Sequence, residues 1–240
     1  MTKRLDNKVI LVTGASRGIG KAVALEAAKQ GAELIITGRT TGALEEVDDD
    51  IHAAGGNAVI VELDQTDFDA IPRLAAAISQ RWGRLDGFVA NAGQLGQLSP
   101  VPYSEADVFE RTITVNLTSV FHMIKAFDPL LRASQAGRAI LVTSGASEGP
   151  RPFWGPYAAS KAGLEALGRS WAAESEQTNM KINLLNPGGT RTAMRAAAFP
   201  GENPDSLPTG ADIAPAFIDL LADDCPYHGA RVDARTLVGL

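Results

Sequence analysis

Short apolar, β-branched runs alternate along this chain with longer stretches of helical spacing, and that alternation limits its folds more than any other feature. The runs lie at 9–13, 33–37, 58–63, 87–90, 139–143 and 181–185, with a weaker one at 230–234. The helical stretches lie at 18–30, 42–54, 67–82, 104–133, 156–177 and 211–222. The first run, Val9-Ile-Leu-Val-Thr13, has no solvent-facing alternation, as expected of a strand covered on both faces. Strand–helix alternation predicts a parallel sheet between two helical layers. Right-handed crossovers then reduce the topology to a doubly wound α/β fold. Such a sheet opens its ligand cleft at the carboxyl ends of the strands, where strand order reverses. With 240 residues, 45% of them apolar, one domain spanning 1–240 is expected.

The first run leads into Thr13-Gly14-Ala15-Ser16-Arg17-Gly18-Ile19-Gly20 and then a helix. Gly14 permits a tight turn, Gly18 lets backbone approach a pyrophosphate, and Gly20 lets the helix pack on the sheet. The free N–H groups of the helix start attract an anion. The pattern predicts a Rossmann-type dinucleotide turn made by Gly14, Ser16, Arg17, Gly18, Ile19 and Gly20. A plain structural turn is the alternative. The second run ends in Gly38-Arg39-Thr40, with no acid between Thr37 and Ala43 to take a ribose 2′-hydroxyl. Arg39, with Arg17 as a second charge, suits a 2′-phosphate, so NADP(H) is expected ahead of NAD(H). A merely solvated Arg39 is the competing reading. Asp64, closing the third run, is placed to accept from the adenine amine, unless acids here, such as Asp67, serve as helix caps. At the end of the fourth run, Asn91, Ala92 and Gly93 would let backbone lie against the cofactor.

The fifth run ends in Thr143-Ser144, and Tyr157-Ala-Ala-Ser-Lys161 opens the next helix. Tyr157 and Lys161 are i and i+4, on one helix face. Reducing a carbonyl needs a proton at oxygen as well as a hydride at carbon. Free tyrosine, with a pKa of about 10, is a poor base near neutral pH, and a neighbouring ammonium is expected to lower it. Ser144 would hydrogen-bond the substrate oxygen, and Lys161 would also hold the nicotinamide ribose. The structural alternative has Tyr157 packed on the sheet and Lys161 in solvent.

Together these residues resemble the short-chain dehydrogenase/reductase family in its single-domain form, over roughly residues 7 to 195. The resemblance rests on Thr13-Gly14-x-x-x-Gly18-x-Gly20, Asn91-Ala92-Gly93, Asn116, Ser144, Tyr157-x-x-x-Lys161 and Asn186-Pro187-Gly188. It implies a seven-stranded sheet of order 3-2-1-4-5-6-7 with helices on both faces. It also implies that Asn116 bends its helix and holds a water linking Lys161 to solvent. Pro187, Gly188 and Thr190 would cover the nicotinamide. The stretch from Asn186 to Phe199, with the proline-rich segment after it, is similar to a bacterial branch of YciK-like oxidoreductases. No substrate comes with that similarity.

A lid is expected at about 188–210. Phe153 and Trp154 are candidates for an apolar substrate wall or for core packing, and Gln94, Leu95 and Glu148 would border the pocket. Arg191 and Arg195 lie in the expected lid, where solvation or pairing with acids is expected ahead of recognition of an anionic substrate. The partner is a small carbonyl or alcohol compound. With 22 basic and 28 acidic residues, a net charge of −6, nothing draws the chain to nucleic acid or membrane. His52, His122 and His228 lack metal-ligand spacing, so no metal is expected. The lone Cys225 and an N-terminus without an apolar signal region point to the cytoplasm. The last strand is short and a usual glycine pair is absent after it. A homodimer through 104–133 and 156–177 is therefore expected ahead of a tetramer; the small residues Ala162, Gly163 and Ala166 allow close helix approach there or, equally, packing inside one subunit. The competing function is a non-catalytic dinucleotide sensor or scaffold. A sugar-nucleotide epimerase would need a larger C-terminal domain than the chain after Asn186 provides.

Overall fold

The computed structural model describes residues 3–240. Seven strands make one parallel sheet in the order β3-β2-β1-β4-β5-β6-β7. In chain order they are β1 (Val9–Thr13), β2 (Glu33–Gly38), β3 (Asn57–Glu62), β4 (Gly87–Ala90), β5 (Arg138–Val142), β6 (Lys181–Asn186) and β7 (Arg231–Asp233). The main helices are α1 (Gly18–Lys29), α2 (Thr41–Ala53), α3 (Ala70–Trp82), α4 (Ala106–Ile113), α5 (Ser119–Ala133), α6 (Gly155–Glu174), α7 (Ala193–Ala198), α8 (Gly210–Leu221) and α9 (Ala234–Leu237).

The period-two geometry of a strand sends alternate side chains to opposite faces, and both faces here are covered. Ile10, Val12, Leu34 and Ile36 join one core with side chains of α1, α2 and α8. Val9, Leu11, Ile35 and Phe88 join the other with α3, α5 and α6. All five residues of β1 are buried, which explains why its sequence shows no polar alternation.

Two expectations need correction. The stretch 67–82 becomes helical only at Ala70. Asp67 Oδ1 accepts from the backbone N–H groups of Asp69 and Ala70, both at 3.2 Å, so Asp67 takes the capping role. The stretch 104–133 is helical from Ala106 to Ala133 but not regularly α. A π-helical turn, Thr114–Thr118, separates α4 from α5. Ser119 Oγ donates to the carbonyl of Val115 at 2.7 Å, and the Asn116 side chain is held from outside the helix, so local and tertiary bonds both compete with a regular ladder. Of the small residues on α6, Gly163 packs within the chain, where a Cβ would lie 2.8 Å from Leu117 Cδ2, while Ala162 and Ala166 are exposed. Among the described residues no helix is long and apolar enough to cross a membrane.

Candidate active site

Strand order reverses between β1 and β4, and the turns after these strands pack directly on each other. Gly14 takes φ +64°, and a Cβ there would lie 2.8 Å from Ala92 Cα. Thr13 Oγ1 accepts from the backbone of Asn91 at 3.0 Å and of Ala92 at 3.1 Å. The Asn91 amide donates to Thr13 O at 2.8 Å and Gly14 O at 3.3 Å. Asn91 thus clamps the glycine turn to the end of β4, a use of its side chain that the sequence did not reveal.

A cleft of about 740 Å³ opens above this junction. Gly14, Ser16, Arg17, Gly18, Ile19, Arg39, Asp64, Asn91, Ala92 and Gly93 line it on one side, and Ser144, Tyr157, Lys161, Pro187, Gly188 and Thr190 on the other. Two predicted residues do not line it. Gly20 is buried behind the turn, where a Cβ would meet Gly14 O at 2.3 Å, so its role is close packing. Asn116 is also fully buried. Its Oδ1 accepts from Gln94 N at 2.9 Å, and its Nδ2 donates to Gln94 O at 2.9 Å and Ser160 Oγ at 3.0 Å. The side chain therefore fixes the loop after β4 to α6.

The cleft suits a dinucleotide. The first turn of α1 holds no acidic residue, and Arg17 at its N-cap makes no side-chain capping bond, so the helix start is left to an anion. Arg17 and Arg39 are exposed at the cleft, and among the described residues neither has a carboxylate within ion-pair distance. Asp64 Oδ1 is occupied by Thr66, accepting from its N–H at 2.9 Å and its hydroxyl at 2.7 Å. The Thr66 N–H bond leads in holding this carboxyl below its ordinary range, against burial, with the charges of Arg39 and Arg111 helping.

At the other end, Lys161 Nζ donates to Val142 O at 2.8 Å and lies 5.9 Å from the centroid of the Tyr157 ring. Lys161 is buried, and desolvation pulls its pKa down from 10.5 to about 8. The expected lowering of the Tyr157 phenol is corrected for this state. Burial pushes it up, and the neighbouring Ser144 hydroxyl pulls down without overcoming that. Ser144 caps the 3₁₀ turn Gly145–Ser147, its Oγ accepting from Ala146 N at 3.2 Å.

The substrate side is aromatic. Trp154 lines the cleft, with its ring 5.8 Å from that of Tyr157 and 5.7 Å from that of Phe199. Phe153 points away and is 54% exposed, so it is not a wall residue. Gln94 and Leu95 border the cleft, whereas Glu148 pairs with Arg231 at 3.1 Å instead. Arg195 is stacked 3.7 Å over Phe199 and bonded twice to Glu202 at 2.6 Å, and Arg191 lies 3.2 Å from Asp205. Both arginines are thus neutralised by their own segment. The histidines have structural partners: His122 stacks on Phe68 at 4.1 Å, His228 Nε2 lies 2.9 Å from Ala172 O, and His52 Nδ1 lies 2.9 Å from Asp48 O. Among the described residues no cluster of acids, histidines or cysteines is arranged for a metal.

Known proteins place this geometry. The family model for short chain dehydrogenases matches residues 8–203. The chain is 39% identical to the uncharacterized oxidoreductase YciK of Escherichia coli (strain K12), over 92% of this chain and 88% of that one. A short chain dehydrogenase from Salmonella enterica serovar Typhi superposes with a TM-score of 0.95 at 36% identity, covering 98% of both chains. A short chain dehydrogenase from Escherichia coli CFT073, solved in complex with NADPH, superposes with a TM-score of 0.94 at 37% identity, covering 98% of this chain and 99% of that one. By its strand order, its cleft and these matches, the chain belongs to the short-chain dehydrogenase family of oxidoreductases.

Proposed function

We propose that this chain is an NADP(H)-dependent oxidoreductase acting between carbonyl and alcohol compounds, with Tyr157 as general acid and base. The observation that carries the reading is the buried Lys161 ammonium next to the Tyr157 ring, at the floor of a cleft that starts at an uncapped helix. A sensor has no use for a buried cation at that place. Arg17 and Arg39 would hold the 2′-phosphate, the start of α1 the pyrophosphate, and Pro187, Gly188 and Thr190 the nicotinamide end. The bound cofactor supplies or accepts the hydride. Its positive oxidised ring and the Lys161 ammonium both favour the phenolate, which offsets the burial that raises Tyr157 in the free enzyme. Ser144 donates a hydrogen bond to the substrate oxygen as charge develops there. Tyr157 passes its proton to that oxygen in reduction and takes it back in oxidation.

Asn116, anchored to Gln94 and Ser160, keeps the loop after β4 and α6 in register beneath this site. The segment 188–210, with α7 and the proline-rich turn, serves as a lid over the substrate end. Phe109 and Phe121, 42% and 48% exposed on α4 and α5, support a homodimer through these helices.

The test is NADPH oxidation with a carbonyl panel of benzaldehydes, cyclic ketones and β-keto esters. Tyr157→Phe should lower kcat by ~10²–10⁴-fold while NADPH still binds. Turnover retained in that variant refutes the role given to Tyr157.

A further inference from the structure

Glu165 is a buried carboxylate that the proton-transfer set does not use. It lies on α6, one helical turn beyond Lys161 and two beyond Tyr157, and its side chain is only 5% exposed. Four donors converge on it. Thr143 Oγ1 at 2.7 Å, Ser147 Oγ at 2.6 Å and Arg231 Nε at 3.1 Å reach Oε1, and an Arg169 guanidinium nitrogen at 2.8 Å reaches Oε2. Burial pushes this carboxyl up, but the bonds from Ser147, Thr143 and Arg231 outweigh it and keep the group ionised.

The two hydroxyl donors bracket Ser144. Thr143 precedes it. Ser147 ends the turn that Ser144 caps, and its single hydroxyl proton is shared between Glu165 Oε1 and the Ser144 carbonyl oxygen, each 2.6 Å from its Oγ. Ser144 is therefore carried on a short bridge whose two ends are both fastened to Glu165. Arg231 on β7, paired in turn with Glu148 at 3.1 Å, holds Glu165 from behind.

We propose that Glu165 is a positioning residue: it fastens the strand end and turn bearing Ser144 to the same helix that bears Tyr157 and Lys161, and so sets how Ser144 meets Tyr157. This rests on the roles proposed above for Ser144 and Tyr157. Misplacing a catalytic hydroxyl by about 1 Å costs on the order of 100-fold in rate, which is what loosening the bridge would do. A glutamine keeps Oε1 and with it the bonds from Thr143, Ser147 and Arg231. An alanine loses all of them.

A double-mutant cycle on NADPH-dependent reduction of benzaldehyde, cyclohexanone or ethyl acetoacetate, whichever is fastest, tests this. Glu165→Ala should lower kcat ~10–100-fold with the Kd for NADPH unchanged. Glu165→Gln should recover most of the loss. In a Ser144→Ala background, removing Glu165 should cost nothing further, because it acts through Ser144. Glu165→Ala removes the most buried of the carboxylates around Arg231, leaving Glu148 and Asp233, and so perturbs packing as well as the bridge. The pair Thr143→Val and Ser147→Ala cuts the same bridge, leaves the ion pair intact, and carries the same expectation. Equal losses in both backgrounds overturn the positioning role alone. A harmless Ser144→Ala overturns the proposed role of Ser144 as well. If none of the three probes is reduced, a crystal structure of Thr143→Val/Ser147→Ala decides: a displaced Ser144 hydroxyl supports the inference, and an unmoved one overturns it.

Discussion

The Lys161 ammonium is bonded to the carbonyl oxygen of Val142, the last residue of β5, so α6 is pinned to the sheet by a charge that burial disfavours. The folded pKa of about 8 lies below the ordinary 10.5. Between these values the unfolded chain binds more protons than the folded one, so this group's contribution to stability rises with pH through that window and its penalty is fully present below it. At about 1.4 kcal/mol per pKa unit the penalty amounts to about 3 kcal/mol. Lys161→Met should therefore stabilise the free protein near neutral pH, remove this part of its pH dependence, and abolish most turnover. Urea denaturation at neutral and alkaline pH measures it. A variant less stable than the parent at neutral pH would contradict the buried-charge account.

In the function proposed above, Arg39 selects the nucleotide. It and Arg17 are exposed at the cleft with no ion-pair partner among the described residues, and β2 ends without an acid. A charge-assisted bond to phosphate is worth about 1.5–3 kcal/mol. Arg39→Asp should therefore weaken NADPH binding ~10–100-fold and leave NADH equal or better. Titration of both nucleotides checks this, and an unchanged ratio refutes the phosphate assignment.

Two glycines should respond oppositely to alanine. At Gly20 a Cβ would lie 2.3 Å from Gly14 O and 2.6 Å from Asn91 Nδ2, neither of which can retreat without opening the turn. Gly20→Ala should cost about 1–3 kcal/mol and weaken NADPH binding. At Gly42, inside the first turn of α2, a Cβ meets nothing within 4 Å. Gly42→Ala should stabilise by about 0.5–1 kcal/mol. Thermal unfolding separates the pair; a shared sign would show the packing argument wrong.

The proposed lid touches Tyr157 through a chain of rings: Phe199 lies tilted against Trp154, and Trp154 meets Tyr157 edge-on. An aromatic pair contributes about 0.5–1.5 kcal/mol beyond buried area. Phe199→Ala should raise KM for an aromatic aldehyde about 2–10-fold and leave NADPH affinity as it was. Steady-state kinetics on benzaldehyde would detect this, and an unmoved KM would show that Phe199 does not hold Trp154 at the cleft.

The strands were legible because fully buried parallel strands need unbroken apolar runs, and most observed bounds fall within a residue or two of those runs. Helix bounds were less legible where a side chain intervened. Asp67 delays α3 by capping it, and the bonds to Asn116 and from Ser119 break the long helix before α5. Nothing local in Val115-Asn116-Leu117 announces the π turn, because the partners of Asn116 are Gln94 and Ser160, distant in sequence.

By itself the sequence determined the sheet, the place of its cleft and the residue types gathered there, because periodicity and glycine spacing are local properties that depend on backbone geometry. Only the tertiary structure decided what each side chain is bonded to. It spent Arg191 and Arg195 on acids of their own segment, turned Asn91 toward the glycine loop, raised rather than lowered the free Tyr157, and converged four donors on Glu165. Such outcomes depend on desolvation and on which of several near or distant partners a side chain meets in the fold, and neither is encoded in spacing along the chain.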